Sequence, residues 1–194
     1  MAASTISLTA SSFTISRFDR RARLPMQMTM RWTVHESPLG PLSVLAGPAG
    51  IRSVWFPGEA PTLDAAAARP MPEVAAQLDA YFAGELRGFD LQLELRGDPF
   101  QKLVWERLLE IPFGETTSYG AIAQSIEESA YPAGIEPYRR PRLVGATIGR
   151  NPLPIVVPCH RVIGADGSLT GFSGGLERKR TLLELEGVLQ ATLC

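Results

Sequence analysis

The sequence predicts an α/β unit followed by a mainly helical one, and three features carry that reading. Between residues 31 and 97, short apolar segments alternate with Pro- and Gly-containing turns, with one Ala-rich helical stretch among them. At Asp98 the apolar spacing changes from every second residue to every third or fourth, the mark of helices. The composition, 45% hydrophobic and 20% charged in 194 residues, is enough for one generous globular domain or two small ones.

In chain order, RWTVHE (31–36), LSVLAG (42–47) and IRSVWF (51–56) read as strands of an antiparallel meander, broken by SPLGP and GPAG turns. The segment PTLDAAAARPMPEVAAQLDAYFAGE (61–85) is helical, with Val74, Leu78, Tyr81 and Phe82 at helical spacing. Phe89, Leu91, Leu93 and Leu95 alternate and predict a half-buried strand that completes the first unit near Gly97.

The second unit, residues 98–190, opens with Asp98 as N-cap and Pro99 at the first helical position. Phe100, Leu103, Val104, Leu108 and Ile111 then lie along one face until Pro112 and Gly114 stop the helix. Ser118 caps a second helix, YGAIAQSIEE, carrying Ile122 and Ile126. A third, PRLVGATIGRN, begins at Pro141 and holds the small residues Gly145 and Ala146. Two short helices joined in this way outline a helix-turn-helix, although adjacent helices are common and the outline alone is unspecific. The last helix, GGLERKRTLLELEG, closes at Gly187, with Leu176, Leu182 and Leu183 expected to face inward.

Residues 1–30 stand apart. Rich in Ser, Thr, Ala and Arg with Asp19 as their one acid, they read as a disordered or targeting segment of organellar type, or as an over-extended start preceding Met26, Met28 or Met30. The expected compartment is cytoplasmic for a bacterial protein, and nuclear or organellar if this segment is a true transit peptide. No run approaches the roughly 18–20 apolar residues that cross a bilayer, so no membrane partner is expected.

A formal net charge of −1 speaks at first against a nucleic-acid partner. The charge is uneven, however: Arg139, Arg140, Arg142, Arg150 and Arg161 fall between residues 139 and 165 with no acid among them. Such a strip suits phosphates, the plainer alternative being a solvated face. With cysteines only at 159 and 194 and histidines only at 35 and 160, neither a disulfide framework nor a metal site is expected.

The chemistry concentrates in IVVPCHRVIG (155–164). Cysteine is often an inert core thiol, but Pro154 and Pro158 bracket IVV rigidly, and His160 and Arg161 supply groups that favour thiolate over thiol. Neighbours in an extended chain point to opposite faces, so His160 reaches the thiol directly only if the chain turns sharply there; otherwise a water bridges them. Glu186 packed behind His160 would complete a cysteine, water, histidine, glutamate relay.

The run NPLPIVVPCHRVIGADGSLTGFSGGLERKRTLLELEG, Asn151 to Gly187, closely resembles the active-site region of the O6-alkylguanine-DNA alkyltransferases. IPFGETTSYGAIA and RLVGATIGRNP resemble that family's helix-turn-helix, and residues 31–97 its ribonuclease-H-like α/β domain. The resemblance implies a winged helix-turn-helix second domain and a monomer without cofactor. It also implies a single-turnover, irreversible transfer of an alkyl group from O6 of a flipped guanine in double-stranded DNA to Cys159. Under it, His160 is the water-linked base, Glu186 its partner, and Asn151 holds the active-site backbone. Tyr119 binds the guanine and stabilises its leaving O6, Ser173 is a donor near the same oxygen, Arg142 is the arginine finger, and Arg150 a further DNA contact. The chain departs from the family in the extra residues, roughly EESAYPAGI, between Tyr119 and Arg142, where Glu127, Glu128 and Glu136 are expected to repel phosphate. A non-catalytic lesion binder is disfavoured by the presence of Cys159, a transcription regulator by the lack of an effector domain, and a thiol hydrolase by the indirect Cys–His pairing.

Overall fold

The computed structural model describes residues 30–190; the first 29 residues, with the targeting segment expected there, and Cys194 lie outside the described residues. Strands β1 (Arg31–His35), β2 (Leu42–Gly47) and β3 (Gly50–Trp55) form the expected antiparallel meander in the order β1-β2-β3. Period-two alternation sends Leu42, Val44 and Ala46 of β2 into the core. Helix α1 (Pro72–Phe82) covers that face with Val74, Leu78 and Tyr81. It is shorter than expected. Pro70 and Pro72 disfavour helical geometry in the residues before them, so the alanine run instead makes one 3-10 turn, Ala65–Ala67, capped by Asp64.

The expected strand at residues 89–95 does not form. Its alternation is real, but its backbone hydrogen-bonds to β3 only at Ile51, whose N–H donates to Gln92 O and whose carbonyl accepts from Glu94 N. Further along that edge the Val54 N–H is taken by Pro152 O, so no ladder propagates.

In the second unit, α2 (Pro99–Leu109) begins with a reciprocal capping box between Asp98 and Gln101. Helix α3 (Tyr119–Ser125) is capped by the Ser118 hydroxyl, which accepts from Ala121 N. Helix α4 (Arg140–Ile148) packs on α3, and α5 (Leu176–Leu185) closes the chain. Two short strands, β4 (Thr117–Ser118) and β5 (Val162–Ile163), pair in parallel and tie the start of α3 to the segment after Cys159. Buried side chains of both units, among them Val44, Leu78, Leu108, Val157 and Leu182, belong to one continuous core. No helix among the described residues is long and apolar enough to cross a membrane.

Three expectations change. Leu176 is 49% exposed, because Lys179, Leu182 and Leu183 occupy the inward face of α5. The segment between α3 and α4 is anchored: Tyr131 is buried, packs on Phe100 and donates to Ala123 O. Arg140 stacks over the Tyr131 ring and pairs with Glu128 at 2.6 Å, which offsets the repulsion expected from that acid. The basic strip also divides, since Arg161 is buried and Arg140 is turned inward, leaving Arg139, Arg142 and Arg150 exposed.

Candidate active site

The segment that leads to Cys159 is wound tightly after α4. Asn151 Oδ1 accepts from Leu153 N at 2.9 Å, and Val157 N bonds Leu153 O at 2.7 Å. Between them Ile155, buried and β-branched, sits in the left-handed region at φ 75°, a conformation that costs about 1–3 kcal/mol and persists only where the surroundings impose it. Cys159–Arg161 then makes one 3-10 turn. This is the sharp turn the sequence left open, and it directs Cys159 and His160 to separate partners.

The Cys159 thiol is buried and accepts a hydrogen bond from Asn151 Nδ2 at 3.0 Å. The other Nδ2 proton goes to Val157 O at 2.8 Å, so Asn151 fastens the backbone and touches the sulfur at once. Burial pushes the thiol up to about 11, opposed by the Asn151 hydrogen bond and the positive charge of Lys179. The resting group is therefore a neutral thiol that ionises only as its proton is taken.

His160 and Glu186 are both buried, and His160 Nε2 meets Glu186 Oε1 at 2.8 Å. The same oxygen accepts from Tyr81 Oη at 2.7 Å and Arg161 Nη2 at 2.9 Å, while Oε2 accepts from Arg161 Nε at 2.8 Å. Burial alone would raise the Glu186 carboxyl, but the bonds from His160, Arg161 and Tyr81 outweigh it and hold it at about 2. An ionised carboxylate requires the imidazole proton on Nε2. The other nitrogen, Nδ1, is then a lone-pair acceptor, and it is buried without a hydrogen-bond partner among the described residues. Burial lowers the His160 pKa and Glu186 opposes that shift, which suits a neutral base.

Lys179, whose charge acts on the thiol, is fully buried, and its Nζ donates to Val162 O and, at 2.6 Å, to Thr170 O. Burial draws its ammonium down to about 8. Tyr119, half-buried at the start of α3, directs its hydroxyl to the carbonyls of Thr170 (2.9 Å) and Gly171 (2.8 Å), and Gly145 of α4 lies against its ring. Gly171, at φ 58°, permits that approach, since a Cβ there would come within 2.6 Å of the Tyr119 oxygen. Ser173 is exposed on the same loop, and Arg142 and Arg150 are exposed on and just beyond α4.

The fold thus brings two buried pairs side by side, Asn151 with Cys159 and His160 with Glu186, and leaves Arg142, Arg150 and Ser173 on the surface. Sequence reasoning missed Lys179 and Tyr81. Lys179 had a legible signal, because the inward face of α5 runs Lys179, Leu182, Leu183, Glu186 with two ionisable groups on an apolar stripe. Tyr81 had none, being 105 residues from Glu186 and indistinguishable from a core aromatic. No group of His, Cys, Asp and Glu among the described residues is arranged to hold a metal ion.

Comparison with known proteins agrees with this geometry. Residues 30–95 match the ribonuclease-like domain of 6-O-methylguanine DNA methyltransferase, and residues 99–188 match its DNA binding domain. The chain is 43% identical over 163 residues to a methylated-DNA--protein-cysteine methyltransferase of Methanosarcina acetivorans, covering 81% of this chain and 99% of that one. It is 47% identical over 157 residues to the Mycobacterium tuberculosis protein of the same name, covering 78% and 88%. Among solved structures, Mycobacterium tuberculosis OGT in complex with DNA superposes with a TM-score of 0.68 at 46% identity, covering 80% of this chain and 92% of that one. The O6-methylguanine-DNA methyltransferase of Pyrococcus kodakaraensis superposes at 0.56 with 28% identity, covering 81% and 99%. With both domains of that family matched in order and relatives 43% and 47% identical over most of the chain, the chain belongs to the 6-O-methylguanine DNA methyltransferase family.

Proposed function

We propose that this protein repairs DNA by moving the alkyl group from O6 of guanine to Sγ of Cys159, once per molecule. The observation that carries the assignment is the buried Cys159 thiol, held by Asn151 beside a His160–Glu186 pair whose Nδ1 is left as a free acceptor. The thiol proton passes to His160 Nδ1 through a bridging water as the sulfur attacks the alkyl carbon. The C–S bond forms and the C–O6 bond breaks; the departing guanine anion takes a proton from Tyr119 Oη, which regains one from water, while the proton on His160 passes to water. The products are guanine and a thioether. No group at the site is able to displace a thiolate from saturated carbon, so Cys159 stays alkylated.

Each remaining residue answers a need of that step. Lys179 supplies a positive charge to the developing thiolate, and Tyr119 and Ser173 supply donors toward guanine O6. The Tyr119 hydroxyl exchanges its bond to the loop carbonyls for the base. Because the lesion lies within the base stack, the nucleotide is extruded at a cost of about a few kcal/mol in lost stacking, part of which exposed Arg142 offsets by filling the gap. Arg150 contacts the phosphate backbone. A DNA substrate places the working protein in a DNA-containing compartment.

Incubation with a duplex carrying O6-methylguanine, followed by intact-mass and peptide analysis, tests the assignment. A single added methylene on the peptide containing Cys159 is expected. No mass change, or alkylation at His160 or Cys194, overturns it.

A further inference from the structure

The carboxylate behind His160 is also held by a residue of the N-terminal unit. Tyr81, on the inward face of α1, is fully buried and donates its hydroxyl to Glu186 Oε1 at 2.7 Å. Its ring is boxed by Phe82, Phe89 and Phe113 at centroid distances of 5.3, 5.2 and 6.2 Å, so packing fixes the direction of the hydroxyl. The oxygen it selects is the one that faces His160. We propose that Tyr81 is a positioning residue of the alkyl-accepting site, its hydroxyl holding the Glu186 carboxylate in line with His160 and limiting how strongly that carboxylate draws on the imidazole proton.

Three donors converge on Oε1, from Tyr81, His160 and Arg161. Each takes a share of the same negative charge, so removing one strengthens the hold on the others. The charged and titratable groups facing the pair are Arg161 on the 3-10 turn, Lys179 on α5, Cys159 beside His160, and Tyr81 itself on α1. Arg161 and Lys179 oppose a charge on His160, and Glu186 favours it. Burial and the neighbouring Glu186 raise the Tyr81 phenol far above its ordinary value, so it remains a donor at every working pH. The N-terminal unit therefore does more than support the second: through one hydrogen bond it tunes the base that activates Cys159. The catalytic part of this inference rests on the function proposed above, whereas its effect on His160 does not.

The test is Tyr81→Phe, which keeps the ring and removes the hydroxyl. The sequence has only His35 and His160, so both imidazoles are readily followed by NMR titration. Without the Tyr81 donor, Glu186 stabilises the imidazolium more strongly. The His160 midpoint should therefore move upward by about half a unit to one unit. The acid limb of the pH profile of the single-turnover rate on an O6-methylguanine duplex, taken at saturating protein, where His160 becomes the neutral base, should move the same way. The His35 ring, which meets Asp79 of α1 at 3.3 Å, should keep its chemical shifts at fixed pH, showing that α1 has kept its place. Leu78→Ala, a cavity one turn earlier in α1, should lower Tm while leaving the His160 midpoint alone. In the unsubstituted protein, the Tyr81 hydroxyl proton should be protected from exchange and show a nuclear Overhauser contact to the His160 Nε2 proton, a result that holds whether or not the variant folds. An unmoved His160 midpoint in Tyr81→Phe, or the absence of that contact, overturns the inference. Failure of the wild-type protein to take up the methyl group would instead sink the proposed function.

Discussion

Replacing Lys179 with methionine should cost little stability and much reactivity, because the opposing terms nearly cancel in the first and add in the second. Methionine matches the length and leaves the carbonyls of Val162 and Thr170 without their donor. Each buried acceptor left unpaired costs about 1–3 kcal/mol. Against this, burial has already brought the ammonium from 10.5 to about 8, a burden of about 3 kcal/mol on the charged form that the variant no longer carries. With two carbonyls unpaired, the expected net change runs from about 1 kcal/mol gained to about 3 kcal/mol lost, as when buried charges give way to apolar side chains of similar size. The thiol has no such offset. Without the nearby positive charge it rises above its present value of about 11, and each further unit lowers the accessible thiolate about tenfold. Urea denaturation should therefore show a loss of no more than about 3 kcal/mol, while the single-turnover rate on an O6-methylguanine duplex falls about tenfold or more. A variant that loses more than about 4 kcal/mol, yet transfers at the wild-type rate once folded, would show Lys179 to be only a structural tie and refute the reasoning.

Cys159→Ser should abolish transfer while duplex binding persists, since a neutral hydroxyl is a far poorer nucleophile and the DNA-binding helices are untouched; gel-shift and mass measurements on one sample check both. Arg142→Ala should slow repair within a duplex far more than reaction with free O6-benzylguanine, which needs no flipping, and the duplex defect should persist at saturating protein. Full rescue at saturation would assign Arg142 to phosphate contact instead. The Glu186 carboxyl, held at about 2 against an ordinary 4.5, stabilises the fold fully above pH 4.5; that contribution, about 3 kcal/mol, is lost as pH falls toward 2. Carboxyl NMR of Glu186 should titrate near 2, and a midpoint near 4.5 would contradict the network.

The sequence alone determined whatever depends on a few neighbouring residues. Asp98, Pro99 and Ser118 mark helix starts because capping uses only the next turn, and the three strands of the meander follow from side chains alternating across a pleat. PCHR marked Cys159 as the candidate thiol because it sets cysteine, histidine and arginine side by side, and resemblance to one ordered motif added Asn151 and Glu186. Tertiary structure decided what depends on competition for a partner. The apolar alternation of residues 89–95 forms no strand because Pro152 occupies the neighbouring edge of β3. Two arginines of the basic strip turn inward because Glu186 and Glu128 claim them, and no local pattern distinguishes them from the three that stay in solvent. Tyr81 meets Glu186 only because α1 packs across the core onto the end of α5, a contact between residues 105 apart that no spacing within either segment encodes. A buried hydrogen bond is specified by both of its ends, and the sequence displays them one at a time.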